Sequence, residues 1–168
     1  MRIAELLLPE LENELAITRR VLERVPDGKG EWKPHAKSFP TAHLAQLVAR
    51  LPGWVPLTLQ RTELDLAPKE GPQFPGYSIE KTATLLAEFD RNAAAARSAL
   101  AAASDADFEV PWALKRGGAT LVTKSRYEIM RWMVLNHIVH HRAQLGLYLR
   151  MLDLPVPQMY GPTADEGW

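Results

Sequence analysis

The chain has no cysteine among its 168 residues. It therefore forms no disulfide, no cysteine-ligated zinc site and no thiol nucleophile of its own. It also lacks a glycine-rich phosphate loop, an HExxH helix and the chain order of a Ser-His-Asp triad. Catalysis or metal binding has to depend on other side chains.

An excess of charge of one sign is also absent, because 20 Lys and Arg balance 20 Asp and Glu. Nucleic-acid-binding proteins usually carry a basic excess, so that class is not expected. No apolar run approaches the roughly 20 residues of a membrane span. Glu5, Glu10, Glu12 and Glu14 interrupt any signal-peptide pattern at the N-terminus. We expect a soluble, cytoplasmic protein that binds neither nucleic acid nor membrane.

What the sequence does contain is helical periodicity. Its length and 46% apolar content fit a single globular domain, which we expect to span residues 1–168. Apolar residues recur three or four apart in four segments: 3–25, 41–66 with an interruption at Pro52-Gly53 and Pro56, 78–103, and 126–152. In the first, the inward stripe comprises Leu7, Leu11, Leu15, Thr18, Leu22 and Val25. The pattern predicts an all-α, antiparallel up-down four-helix bundle.

Turn and cap residues set the predicted boundaries. Gly117-Gly118 lies between two short apolar runs and predicts a hairpin-like insertion before the last helix. Ser125 and Glu128 form a capping box for that helix, and Ser78 is the expected N-cap of the third. The proline- and glycine-rich residues 67–77 predict a loop long enough to have a functional role.

The histidines carry the clearest chemical signal, and there are five: His35, His43, His137, His140 and His141. His137 and His141 are four residues apart, so their imidazoles lie one turn apart on one face of the last helix. That face is otherwise largely apolar, and buried imidazoles need partners for both ring nitrogens. A divalent metal would satisfy them, because neutral imidazole is a common metal ligand.

A tight site usually has three protein ligands, with open positions left for water or substrate. His43 is the natural third, because it begins the inward stripe of the second helix. The alternative for His43 is a partly buried, hydrogen-bonded histidine without a metal. We expect His35 and His140 to lie at the surface or behind the ligands.

The residues from Asn136 to Pro162, NHIVHHRAQLGLYLRMLDLPVPQMYGP, resemble the DinB-like (DinB/YfiT) family of four-helix metalloproteins. SFPTAHLAQLV, at 38–48, resembles that family's first histidine motif. The resemblance covers nearly the whole chain. It implies one divalent metal, zinc or nickel, with His43, His137 and His141 as its ligands. Arg142 and Gln144 match flanking positions of the signature, without an assigned role.

The resemblance also implies a function. Family members with known chemistry use low-molecular-weight thiols, so we expect a metal-dependent thiol S-transferase with a small-molecule substrate. Because the chain has no cysteine, a cosubstrate would have to supply the sulfur. A hydrolase using metal-activated water and a non-catalytic, metal-stabilised bundle remain alternatives.

The last helix is also apolar on the face opposite His137, which carries Trp132, Leu135, Val139, Ala143 and Gly146. A helix that is apolar on both faces must be covered on both. The insertion and the C-terminal tail could cover this second face, or a second subunit could. Homodimers are common in the family that the chain resembles, and we expect a homodimer here.

Overall fold

The computed structural model describes residues 1–71, 73, 75–78 and 81–167, and most of them are helical. The helical elements are α1 (Ile3–Leu22), α2 (Thr41–Arg50), a 3₁₀ turn (Leu51–Gly53), α3 (Trp54–Gln60), α4 (Thr82–Ala102), α5 (Asp105–Glu109), α6 (Arg126–Ile129), a π-helical segment (Met130–Leu135) and α7 (Asn136–Met151). The strands are β1 (Glu63–Asp65), β2 (Pro111–Arg116) and β3 (Ala119–Ser125). None of the described helices combines the length and apolar character needed to cross a membrane.

The four long helical segments enclose one core. The predicted stripe of α1 is confirmed, because all six of its side chains are buried. α1 packs against α4 and α7, and α2 packs against the same two helices. α1 and α2 therefore lie at opposite corners, although they follow each other in the chain. The expected plain up-down bundle is too simple in this respect, because a long connection carries the chain from α1 across to α2.

The predicted hairpin is confirmed, and it belongs to a larger sheet than expected. β2 and β3 pair antiparallel across Gly117 and Gly118, which both have positive φ, at 60° and 83°. β1 adds a third strand, parallel to β2. The carboxylate of Asp65 accepts hydrogen bonds from the backbone N–H groups of both glycines, at 2.9 and 2.6 Å. The hairpin turn is thus held by a residue far away in sequence.

β1 corrects the prediction that the second helical segment continues to residue 66. α3 ends at Gln60, and Arg61 is already extended. The Ala113 N–H donates to the Thr62 carbonyl and the Leu66 N–H donates to the Lys115 carbonyl, both at 2.9 Å. Pairing with a distant strand therefore overrides the local helical spacing, as long-range contacts often do.

The third long helix also begins later than expected, at Thr82 rather than after Ser78. Asp27, in the turn after α1, accepts hydrogen bonds from the Thr82 N–H at 2.7 Å and from its hydroxyl at 2.8 Å. Ser78 instead donates its N–H to the Gln46 side chain. The N-terminus of α4 is therefore capped by a residue from another segment. Of the expected loop and helix start, residues 72, 74, 79 and 80 lie outside the described residues.

The last helical segment begins as predicted and then departs from α-helical geometry. Ser125 and Glu128 form the expected capping box, each accepting the other's backbone N–H. From Met130 to Leu135 the helix is π-helical, and the Asn136 N–H bonds the Arg131 carbonyl five residues back. Single-turn π segments occur often at functional sites. This one leads directly into the turn that carries His137.

A buried ion pair joins α7 to α1. The guanidinium of Arg142, only 1% exposed, lies 2.7 Å from a carboxylate oxygen of Glu14 and donates to the Thr18 hydroxyl at 3.1 Å. It also donates to the Tyr160 hydroxyl at 2.6 Å, which in turn donates to Glu14 at 2.7 Å. The C-terminal tail is thereby tied to both helices.

The tail covers part of the second apolar face of the last helix. Gly146 is buried, and a Cβ there would lie 2.8 Å from the Cε of Met159. Leu135 is also buried, whereas Trp132 is 47% exposed and Ala143 is exposed. The C-terminal tail thus covers one end of this face, as one of the two expectations had it. The homodimer stays a prediction.

The buried pair predicts a specific stability pattern. Arg142→Met should lower the free energy of unfolding by about 3–5 kcal/mol, because Glu14 keeps a buried charge without its partner. Glu14→Gln added to Arg142→Met should recover a large part of the loss, because the unpaired charge is then gone. Urea unfolding at neutral pH measures both. A double variant no more stable than the single one would contradict this account.

Candidate functional site

His137 and His141 are brought together as their spacing predicts. Their Nε2 atoms lie 2.8 Å apart, and their ring centroids are 4.6 Å apart. His141 is 8% exposed and His137 is partly buried. The two imidazoles therefore point their outer nitrogens at one shared position.

The other nitrogen of each ring is held by an oxygen. The Nδ1 atom of His137 lies 3.3 Å from the Met133 carbonyl, and that of His141 lies 2.8 Å from the side-chain Oε1 of Gln144. The Met133 carbonyl is an acceptor, so the Nδ1 atom of His137 donates to it. The two Nε2 atoms lie within hydrogen-bond distance of each other, so one imidazole can donate to the other in the metal-free protein. Each ring is thus held through its second nitrogen, as metal-ligating histidines commonly are.

Electrostatics keep both rings in the neutral form. Burial lowers the pKa of His137 to about 4, and the charge of a protonated His141 would lower it further. Burial also lowers the pKa of His141, although the hydrogen bond between His141 and the Gln144 side chain opposes that shift. Neutral imidazole is the form that binds metals. The pair is thus ready to act as ligands at physiological pH.

His43 is in a different environment. Its ring is stacked between those of Phe39, at a centroid distance of 4.1 Å, and Tyr77, at 3.9 Å. Burial lowers the pKa of His43, so this ring is also kept neutral. The Phe39 ring packs against His141 too, at 6.4 Å. Phe39 therefore contacts both His43, on α2, and His141, on α7, and links the aromatic stack to the histidine pair.

Within the described part of the chain, no three His, Asp or Glu side chains are gathered closely enough to hold a metal ion. The structure supplies two converging nitrogens and keeps His43 in the stack. His140 is exposed, with its ring edge against His141 at 4.7 Å. His35 is exposed and accepts the Lys37 N–H at its Nδ1. The assignment of His43, His137 and His141 as metal ligands stays a prediction. The structure brings His137 and His141 together and leaves His43 apart from them.

Two surface concavities open beside the pair. One, of about 400 Å³, is lined by Trp132, Met133, Asn136, His137, His140 and His141. The other, of about 530 Å³, is lined by Pro34, Lys37, Ser38, Phe39, His140, His141, Gln144, Leu147 and Tyr148. A larger one, of about 740 Å³, runs along β1 and has no histidine in its lining. Chemistry, rather than size, identifies the functional region.

Gln144 is the functional residue that sequence reasoning left without a role. It follows His141 by three residues, a spacing at which helix side chains meet. Its amide lies 2.8 Å from the Nδ1 atom of His141 and holds that ring in place. The spacing of Gln144 from His141 could have predicted this contact. The contact at His137 could not be predicted from residue types, because it is made by the backbone carbonyl of Met133.

Fold and site together define a mostly helical protein with a paired-histidine site. The model of the DinB family matches residues 2–167, and the chain belongs to that family. A DinB-like protein from Bacillus cereus has a similar structure, with a TM-score of 0.69 and 19% identity over 95% of this chain and 98% of that one. A DinB-like protein from Bacillus subtilis has a TM-score of 0.65 and 11% identity over 90% and 96%. No curated protein sequence matches significantly.

The lowered imidazole pKa values predict how stability changes with pH in the metal-free protein. In the unfolded chain a histidine protonates near pH ~6.5, whereas folded His137 remains neutral until about pH 4. The unfolded state therefore takes up the proton first, and stability should fall as the pH drops from 7.5 to 5.

Urea unfolding across that range measures the slope. His137→Gln should make the slope shallower, because one of the histidines with a lowered pKa is removed, while His43 and His141 still contribute. An identical slope in the variant would show that His137 protonates equally easily in both states.

Proposed function

We propose that this protein binds one divalent metal ion, zinc or nickel, through His137 and His141, with His43 as the third ligand. The convergence of the two Nε2 atoms, 2.8 Å apart, is the observation that carries the proposal. The DinB family is generally metal-binding, which supports it. A backbone carbonyl and Gln144 hold the two Nδ1 atoms, so both rings are oriented in the metal-free protein.

His43 would join the site by leaving its stack between Phe39 and Tyr77. The stack is on the side of α2 that approaches the pair, since Phe39 contacts both His43 and His141. Binding of an ion would provide the free energy for that rearrangement. Three protein ligands would leave positions open for a small molecule, as in catalytic zinc sites.

The activity that we propose is a thiol S-transferase reaction with a low-molecular-weight thiol as cosubstrate. A divalent ion at this site would supply Lewis-acid chemistry that lowers the pKa of a thiol. The chain contributes no sulfur nucleophile, because it has no cysteine. Its own residues would orient the histidine ligands and keep them neutral. The two concavities beside the pair would hold the thiol and the substrate.

Metal content tests the ligand assignment. Protein purified without chelator should contain about one zinc or nickel ion per chain by mass spectrometry. His137→Ala and His141→Ala should each lose most of it, because two imidazoles bind the ion much more weakly than three. His43→Ala should also lose metal if that residue is the third ligand. His35→Ala is the matched control, since His35 is exposed and its Nδ1 accepts the nearby Lys37 N–H.

Full metal occupancy in His137→Ala would disprove the proposed metal site. If only His43→Ala keeps its metal, His43 is not the third ligand and the assignment of His137 and His141 stands. The reaction class is tested separately, by screening electrophilic substrates with and without added thiols. Turnover that depends on thiol supports the transferase, whereas thiol-independent hydrolysis of an ester or amide would replace it with a hydrolase.

A further inference from the structure

The two concavities beside the histidine pair are adjacent, because His140 and His141 line both. We call the one that includes Lys37 the Lys37 concavity. It lies on the side of His141 where Gln144 holds the ring, and its far wall is formed by residues 34–39, which precede α2. A molecule in it would lie next to His141 without displacing either imidazole.

The charge in this region is one-sided. Among the described residues, no carboxylate lines either concavity, and Lys37 supplies an ammonium group. The Gln144 amide and the Ser38 hydroxyl add polar groups to the Lys37 concavity. The larger concavity along β1 provides a contrast, because Glu63, Asp65 and Glu70 line it.

The Lys37 concavity also has an apolar wall. Leu147 is 59% exposed and Phe39 is 43% exposed, and both line it together with Pro34. The Tyr148 hydroxyl donates to the Phe39 carbonyl at 3.2 Å, which ties this wall to α7. Large apolar side chains exposed beside a few convergent polar groups are typical of a small-molecule site.

We propose that the Lys37 concavity binds the carboxylate of a small amphipathic anion, whose apolar part packs on Phe39 and Leu147. The proposal deepens the proposed function and rests on it for the reaction, because the other end of the substrate would reach His137 and His141. Ammonium and amide donors suit a carboxylate, and bonds to charged acceptors are about twice as strong as neutral ones. Carboxylates of the protein itself would repel such a ligand, and no residue that the structure describes in this lining carries one.

Three six-carbon probes separate charge from apolar contact: hexanoate, hexan-1-ol and hexylamine. NMR titrations that follow the Leu147 methyl groups report binding in this concavity alone. They are run on the full chain, both metal-free and zinc-loaded, because a bound ion would itself attract carboxylates. Hexanoate should bind about tenfold more tightly than hexan-1-ol in both forms, and hexylamine should bind more weakly than either.

Variants then assign the preference to Lys37. Lys37→Gln should abolish the preference for hexanoate and leave hexan-1-ol binding unchanged, whereas Lys37→Arg should keep it. Lys29→Gln is the matched control, because Lys29 makes the same charge change in the same segment and lines neither concavity. Zinc titration of each variant shows that the histidine pair is intact.

Any one of four results would overturn the proposal. Two concern the probes: hexanoate and hexan-1-ol bind equally, or hexylamine binds most tightly. The other two are that no probe moves the Leu147 signals, or that Lys37→Gln keeps the preference for hexanoate. Failure of the wild-type chain to bind either zinc or nickel overturns the proposed function instead. The metal-free titrations still decide the role of Lys37 in that case, so the two failures can be told apart.

Discussion

The orientation of α7 depends on the buried ion pair between Arg142 and Glu14. Each of the two groups is costly to remove from water alone, so they persist inside the protein only together. Arg142 follows His141 directly, and successive residues on an α-helix are rotated by about 100°. Fixing Arg142 against α1 therefore turns His141 and His137 toward α2 and the concavities. Tyr160 extends the same contact to the tail.

The site follows from that orientation and from two local hydrogen bonds. The π-helical segment ends just before His137, and Met133 within it provides the carbonyl that holds this ring. Gln144 holds the other ring from one turn further on. Burial disfavours protonation of both rings, and the contacts at their Nδ1 atoms bring the two Nε2 atoms together. The orientation and the neutral state of the two imidazoles are therefore set by the protein chain itself.

The sequence allowed prediction of the features that depend on near neighbours. The α1 stripe, the hairpin at Gly117-Gly118 and the Ser125 capping box all arise from residues a few positions apart, and all are confirmed. The proximity of His137 and His141 is of the same kind, since helix geometry alone brings them together.

The features that escaped prediction depend on distant partners. β1 is three residues long, too short for periodicity to reveal, and exists through pairing with β2. The start of α4 is set by Asp27, and the buried pairing of Glu14 with Arg142 joins residues 128 positions apart. The helical spacing placed His43 at a core-facing position. It could not predict the stack with Phe39 and Tyr77, because both of these residues lie outside α2.

The central claim is that His137 and His141 share a metal ion. Anomalous diffraction from crystals of the zinc-loaded protein, with data on both sides of the zinc absorption edge, locates the ion directly. The account predicts one strong peak within about 2.1 Å of both Nε2 atoms, the usual Zn–N distance. A peak at His35, His140 or a carboxylate cluster, with none at the pair, would contradict it.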